Sequence, residues 1–255
     1  MVGQVSAPVL AVAERLPDWV TGIRAPNPGP MTLDGTNSWV LATPGGRTVV
    51  VDPGPADEGH LSALAAYRPS LILLTHRHPD HVDGLEPLLG MAGATPVWAA
   101  GEARRSLDGL DIALLATPGH TADSVCFRAE LGGERVVLTG DTILGRGTTI
   151  VDGDLGDYLR SLERLAGLGA VPVLPGHGPA LADCGAAAGA YLEHRRARLA
   201  QVREALAAGA RTAREVVEIV YADVDRAVWP AAEATVTAQL AYLESSGLGV
   251  RWDTP

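Results

Sequence analysis

The feature that most restricts what this chain can fold into is the run HRHPDH at residues 76–81, which is dense in metal-binding residue types. It is separated by one residue from the apolar run Leu71–Leu74, which predicts a buried strand. In extended backbone, residues two apart point the same way, so His76 and His78 can bind one ion together. A buried strand that ends in such a run predicts a metal site at the edge of a sheet.

The second half of this run predicts a second ion beside the first. Pro79 ends the strand, so Asp80 and His81 fall on the following turn, where their side chains can reach another ion. Imidazole and carboxylate ligands together suit zinc, manganese or iron, and no thiolate stands nearby in the sequence to narrow the choice.

Three later segments each add one candidate ligand. Each segment follows a predicted strand and contains a glycine turn, so the three side chains can emerge at the same edge of a sheet. The candidates are His120 in TPGHT, Asp141 in LTGD and His177 in PGHG. A single His or Asp in such a turn usually caps backbone groups. These three assignments therefore depend on the run at 76–81.

Apolar runs and turn residues predict an α/β protein with two parts. Predicted strands are Asn37–Thr43, Thr48–Val51, Leu71–Leu74, Thr95–Ala99, Asp111–Leu115, Ser124–Arg128, Arg135–Leu138 and Val171–Leu174. Predicted helices are Leu61–Tyr67, Asp157–Ala166, Gly185–Ala208, Ala213–Tyr221 and Ala231–Ser245, with a strand pair at Leu248–Trp252. Three helices and a hairpin outline a winged helix, so we place a domain boundary near residue 190, between 1–190 and 191–255.

Composition argues against several classes of protein. The formal charge of −10 disfavours a general nucleic-acid binder. The two cysteines, Cys126 and Cys184, are too few for a disulfide framework or a cysteine-based zinc finger. The N-terminal stretch has no basic start, and no apolar run approaches membrane-spanning length. We therefore expect a cytoplasmic protein without a membrane segment.

The motifs match a known family. HxHxDH, followed by a His, a Gly-Asp and a Gly-His at these intervals, resembles the metallo-β-lactamase-fold hydrolases. Asp141, where the zinc β-lactamases tend to have Cys or no bridging ligand, makes the chain similar to the glyoxalase II, lactonase and ribonuclease branches. Residues 27–41 (NPGPMTLDGTNSWVL), 140–149 (GDTILGRGTT) and 175–179 (PGHGP) resemble the β-lactamase-like protein 2 group, which includes endoribonucleases.

This resemblance implies a four-layer αββα sandwich with a small C-terminal winged-helix-like domain. It also implies that His76, His78 and His120 hold one metal ion. Asp80, His81 and His177 would hold the other, with Asp141 bridging the two. Asp52 in VVVDPG would support the ligands from outside, with a plain turn residue as the alternative. Asn37 in GTNS would lie near the substrate, with capping of a turn as the alternative.

Two ions, most simply Zn²⁺, predict a hydrolase in which a bridging hydroxide attacks a carbonyl carbon or a phosphorus. Asp80 would be the catalytic residue that orients this hydroxide. The favoured substrate is an ester, thioester or lactone, either a small molecule or an acyl group on a carrier. The alternative is a single-strand-specific endoribonuclease, with RNA held around Arg77 and Arg146. A true β-lactamase is disfavoured by Asp141 and by the N-terminus. The general acid, the metal identity and a homodimer stay open.

The C-terminal region allows one further alternative, a non-catalytic regulator that binds nucleic acid through a winged helix. The helix Ala231–Ser245, which would enter the major groove, contains no Arg, and this disfavours that function. The preceding helix carries Arg195, Arg196, Arg198 and Arg203, interpreted as a solvated face. His194 is a candidate proton donor only if this region folds over the site, and the favoured interpretation is an exposed helix residue beside Arg195 and Arg196.

Overall fold

The computed structural model describes residues 7–93, 96–98, 103–246 and 252. These residues form two five-stranded sheets. The first has the order β1-β2-β3-β4-β5 and consists of Val20–Arg24, Asn37–Ala42, Thr48–Val51, Leu71–Leu73 and Val97–Trp98. The second has the order β10-β9-β8-β7-β6 and consists, from β6 to β10, of Arg104–Leu107, Leu110–Ala116, Val125–Leu131, Glu134–Gly140 and Val173–Pro175.

Helices cover the outer face of each sheet. They are, from α1 to α7, Glu58–Ala65, Pro79–Val82, Leu85–Ala92, Leu155–Ala166, Cys184–Ala207, Ala213–Val220 and Trp229–Ser245, with a 3₁₀ turn at Arg226–Val228. Leu71 and Leu73 of β4 face the other sheet in the central core, whereas Ile72 packs outward with Leu64 of α1 and Leu88 of α3. Both faces of the strand are therefore buried, which explains its uninterrupted apolar sequence. The predicted αββα sandwich is confirmed.

Parallel pairing brings the candidate ligands to one edge. Strand β4 runs parallel to β3, and β10 runs parallel to β9. Strand β7 also runs in the direction of β9, because both are antiparallel to β8. The carboxyl ends of β3, β4, β7, β9 and β10 are the ends that precede the predicted site residues.

The C-terminal helices have a core of their own. Val202 and Leu206 at the end of α5 pack with Val216 of α6 and Leu240 of α7. Helix α5 runs without interruption through the boundary predicted near residue 190, and that boundary stays a prediction. None of the helices in the described residues has the length and apolar character that crossing a membrane would require.

Most predicted elements are present, with some differences. Strands β1 and β6 were not predicted, because their sequences lack a clear apolar period. Helix α3 was not predicted either, although Leu85, Leu88 and Leu89 recur at helical spacing. The predicted strand Thr95–Ala99 lies partly outside the described residues, where only Val97–Trp98 is seen as β5. The predicted strand pair Leu248–Trp252 also lies outside them except for Trp252, whose Nε1 donates to Glu244.

Candidate metal centre

The run at 76–81 adopts the predicted change from extended backbone to a turn. His76 and His78 lie on one side of the extended segment after β4, with ring centroids 4.8 Å apart. Helix α2 then begins at Pro79, with His78 in an extended conformation as its N-cap. This single turn directs Asp80 and His81 toward the carboxyl end of the second sheet.

Three imidazole nitrogens converge in the first group. Nδ1 of His78 lies 3.1 Å from Nε2 of His76 and 3.0 Å from Nε2 of His120. A tetrahedral zinc ion with Zn–N bonds of about 2.0–2.1 Å holds its ligand atoms about 3.3 Å apart. The three nitrogens therefore have nearly the spacing of ligands around one ion.

A second group lies beside the first. Nε2 of His177 is 3.3 Å from Nε2 of His81 and 3.1 Å from Oδ2 of Asp80. Together with the first group, these side chains include clusters of potential ligand atoms within 4.8 Å of one another. The chain therefore has His/Asp clusters able to bind metal ions.

Asp141 lies between the two groups. Its Oδ2 is 3.7 Å from Nε2 of His120 and 3.4 Å from Nε2 of His177, and its Oδ1 is 3.4 Å from Nε2 of His81. That Oδ1 is buried and has no hydrogen-bond partner among the described residues. A buried carboxylate oxygen without a partner is costly unless it binds a cation, so this atom fits a metal site.

Three of the four buried ligand histidines are oriented by a hydrogen bond from the ring nitrogen that faces away from the cluster, and the fourth, His81, is oriented by Asp52. Nδ1 of His120 donates to the carbonyl of Ile150 at 2.8 Å, and Nδ1 of His177 donates to the carbonyl of Gly35 at 3.3 Å. Nδ1 of His76 lies 3.0 Å from Oγ1 of Thr75. These contacts fix Nδ1 of each ring as a proton donor, so Nε2 is the nitrogen that faces the ion.

Asp52 occupies the position expected for a supporting carboxylate. Its Oδ2 accepts from Nδ1 of His81 at 2.9 Å and from Oγ1 of Thr75 at 2.6 Å, and its Oδ1 accepts from the amide of Thr75 at 2.8 Å. This one carboxylate therefore orients His81 of the second group directly. It also orients His76 of the first group, through the hydroxyl of Thr75. Sequence reasoning missed Thr75, although it directly precedes the ligand run.

Asn37 fixes the loop that carries His177. Its Nδ2 donates to the carbonyls of Pro175 and Gly178 at 3.1 and 2.8 Å. The side chain is buried, and this geometry favours the loop-capping alternative. Its contact with substrate stays a prediction. Thr36, which was not predicted, donates to Oδ2 of Asp80 at 3.3 Å.

The charges in the cluster favour ligation. Burial raises the pKa of Asp80, but the hydrogen bond from His177 and the charges of His81 and His177 together outweigh it and lower the pKa to about 2. Burial lowers the pKa of His76 to about 2. Burial also opposes charge on His177, yet its hydrogen bonds to Asp141 and Asp80 raise its pKa to about 9. The carboxylates are thus ionised, and the proton on His177 must leave when an ion binds.

We expect Gly176→Ala to disrupt the cluster. A Cβ at this position would lie 2.5 Å from Oδ1 of Asp141 and 2.6 Å from Cε1 of His81. Because a ligand displaced by about 1 Å can cost about 100-fold in rate, hydrolysis and bound metal should both fall. Gly189→Ala in α5, where an added Cβ meets nothing within 4 Å, is the matched control. Unchanged metal content and activity in Gly176→Ala would contradict this packing.

A cavity of about 520 Å³ opens onto the cluster at His120 and Asp141. One wall comes from the sandwich, including Leu33, Leu144 and Ile150. The facing wall comes from the C-terminal region, including residues of α5, of α7 and of the segment between α6 and α7. The C-terminal helices therefore fold over the candidate site.

Two predictions about α5 are wrong. His194 is buried on this cavity wall and is not an exposed helix residue. Arg195 and Arg198 are also buried on the wall, whereas Arg196 and Arg203 are exposed as expected. The error arises because α5 packs against α4 on one side and α6 and α7 on the other, so its polar residues do not share one solvated face.

Comparisons with known proteins agree with the fold and the cluster. Residues 31–111 and 95–177 match the metallo-beta-lactamase superfamily, and residues 212–253 match the beta-lactamase associated winged helix domain. The chain is 35% identical to a beta-lactamase-like protein 2 homolog from Caenorhabditis elegans, over 92% of this chain and 87% of the relative. It is 32% identical to an atrochrysone carboxyl ACP thioesterase from Aspergillus fumigatus, over 85% and 78%.

A solved structure shows the same architecture. A metallo-beta-lactamase family protein from Thermus thermophilus superposes with a TM-score of 0.74 and is 24% identical. The match covers 91% of this chain and 95% of that one. The similarity therefore includes the C-terminal region as well as the sandwich.

Proposed function

The chain belongs to the metallo-β-lactamase superfamily, and we propose that it is a dinuclear metal-dependent hydrolase of acyl thioesters. The observation that carries the proposal is the 520 Å³ cavity, which joins the His/Asp cluster to a largely apolar wall. A concave site with mostly apolar walls and a few polar groups suits a small acyl group. The thioesterase name of the Aspergillus relative makes a carrier-bound acyl group the first choice.

In this proposal His76, His78 and His120 hold one ion. Asp80, His81 and His177 hold the other, and Asp141 is shared. Two divalent ions, most simply Zn²⁺, would supply Lewis-acid activation of water and stabilise negative charge on the substrate oxygen. The imidazoles and carboxylates fix where that activation occurs, because the surrounding hydrogen bonds hold them in place.

Asp80 is the residue proposed to orient the attacking water. Its side chain is 28% exposed, against 11% for Asp141, so a water molecule at the cluster reaches it more easily. Its low pKa keeps the carboxylate ionised and able to accept a hydrogen bond from that water. Thr36 and His177 hold its Oδ2 in position.

The leaving group also favours a thioester. A thiol has a pKa of about 8.5, so a thiolate leaves at neutral pH with little protonation, whereas an alkoxide needs a proton donor. His194 lies on the cavity wall that also includes His120 and Asp141, so it is the candidate proton donor for an ester or lactone leaving group. Ester and lactone hydrolysis are the neighbouring possibilities for the same site.

Nucleic-acid substrates fit the described surface less well. The two arginines expected to hold RNA are in ion pairs, Arg77 with Asp123 at 3.1 Å and Arg146 with Asp34 at 2.6 Å. Ala231 and Thr235 of α7 line the cavity, so this face of the helix packs over the candidate site and is not presented to a DNA groove. These contacts support an acyl substrate over RNA or DNA.

A substrate panel tests the proposal. Metal-loaded protein is assayed on N-acetylcysteamine thioesters, matched oxygen esters, a lactone and single-stranded RNA, with His78→Ala as the blank. We expect the highest kcat/KM on a thioester and its loss in the variant. RNA cleavage that the variant loses, with no thioester turnover by the wild-type protein, would overturn the proposal.

A further inference from the structure

Two arginines of α5 lie on the wall of the cavity that opens onto the metal cluster. The whole residues are only 2% exposed for Arg195 and 7% for Arg198. They are one helical turn apart, so their side chains lie on neighbouring parts of the same face. Both line the 520 Å³ cavity together with His120 and Asp141.

Neighbouring groups hold both guanidinium groups in place. Nη2 of Arg195 donates to the carbonyl of Thr149, and its guanidinium carbon lies 5.4 Å from the ring centroid of Tyr158. Nη1 of Arg198 lies 3.0 Å from both Oε1 of Gln201 and the carbonyl of Val220, and its guanidinium stacks 4.5 Å from the ring of Tyr221. Such contacts pre-organise the two cations.

Neither cation is neutralised within the described part of the chain. No carboxylate there forms an ion pair with Arg195 or Arg198, and the Nε atom of each is buried without a hydrogen-bond partner. Of the acidic residues on the cavity wall, Asp141 is engaged by the histidines and Asp223 is exposed. Buried charge without a counter-charge is costly, so the pair is suited to an anionic ligand.

We propose that Arg195 and Arg198 form a subsite for a carboxylate on the acyl group of the substrate. The preferred substrates would then be thioesters whose acyl chain ends in a second carboxyl group. The reaction in this inference rests on the proposed thioester hydrolysis. The binding of a carboxylate by the two arginines does not depend on it. A phosphate on a carrier arm is the other source of an anion. Because both arginines are buried, an anion tethered to a bulky carrier would reach them less readily.

Kinetics test the subsite with matched substrates. Glutaryl and pentanoyl thioesters of N-acetylcysteamine have acyl chains of the same length and carry no phosphate. We expect wild-type kcat/KM to be at least about tenfold higher for the glutaryl thioester, the ratio expected for one charge-assisted hydrogen bond. Pentanoyl-coenzyme A should reach the kcat/KM of the glutaryl thioester only if the arginines bind the phosphate of the carrier. That result would overturn the carboxylate assignment.

Variants of α5 separate charge recognition from fold. Arg198→Gln removes one cation that does not contact the ligand histidines. We expect it to abolish the glutaryl preference, so that the ratio of kcat/KM for the glutaryl thioester to kcat/KM for the pentanoyl thioester falls from about ten to about one. Arg203→Gln, on the same helix but exposed, should leave the preference unchanged. A glutaryl preference that survives in folded Arg198→Gln would overturn the proposal.

A binding measurement keeps this test independent of thioester hydrolysis. Glutarate and pentanoate each offer one carboxylate to the ions, and only glutarate offers a second. Calorimetric titration of wild-type metal-loaded protein should show at least about tenfold tighter binding of glutarate. Tighter glutarate binding without thioester turnover would reject the proposed function alone. Equal binding of the two would reject the subsite, whether or not Arg198→Gln folds.

Discussion

Asp141→Asn is expected to reduce hydrolysis by about 1,000-fold, because metal ions stabilise the charge of a hydrolytic transition state by several kcal/mol. The substitution keeps the size of the side chain but removes the negative charge that faces His120 of one group and His81 and His177 of the other. We expect the bound metal to fall below two ions per chain, as measured by elemental analysis after gel filtration.

Asp111→Asn is the control for this substitution. Asp111 is an exposed residue of β7 and does not contact the cluster. It should retain both metal and activity. An Asp141→Asn protein that keeps two ions and the wild-type rate would show that this carboxylate does not join two sites.

Asp52→Asn is expected to weaken metal binding by about 10- to 100-fold, the usual effect of removing a carboxylate that orients ligand histidines. An amide at this position can still accept one hydrogen bond but cannot serve both His81 and Thr75 as the carboxylate does. Asp52 has a positive φ of 52°, a conformation that Asn also adopts readily, so the backbone should be preserved. Competition with a metal-binding dye measures the change.

The chain offers a matched control for this backbone conformation. Asp108 has a φ of 49° and forms an ion pair with Arg47 in a turn between β6 and β7. Asp108→Asn should leave the metal affinity unchanged. If Asp52→Asn binds metal as tightly as this control does, then Asp52 is a turn residue, the alternative interpretation of VVVDPG.

The ligand run at 76–81 was predictable because the positions of its side chains follow from the backbone conformation of neighbouring residues. Alternation in extended backbone places His76 and His78 together, and Pro79 begins the turn that presents Asp80 and His81. His120, Asp141 and His177 could be placed near it because each follows a strand and lies in a glycine turn. Their assignment to particular ions came from family resemblance, and it remains a proposal.

Apart from Asp52, which the family resemblance implied, the groups that orient the ligands were not predictable, because the contacts depend on tertiary structure. His120 is oriented by the carbonyl of Ile150, and a backbone group carries no residue-specific signal. The burial of Arg195 and Arg198 was missed for a similar reason. Arginines spaced along a helix normally indicate a solvated face, and only the packing of α6 and α7 over α5 brings these two onto a cavity wall.

The proposed hydrolysis depends on two metal ions held by the His/Asp cluster, a claim that metal titration tests directly. Metal-free protein is titrated with Zn²⁺ while bound metal is counted by native mass spectrometry and thioester hydrolysis is followed at each step. We expect no turnover without metal, full turnover at two ions per chain and loss of turnover on addition of a chelator. Full turnover by metal-free protein, or with a single bound ion, would contradict the claim.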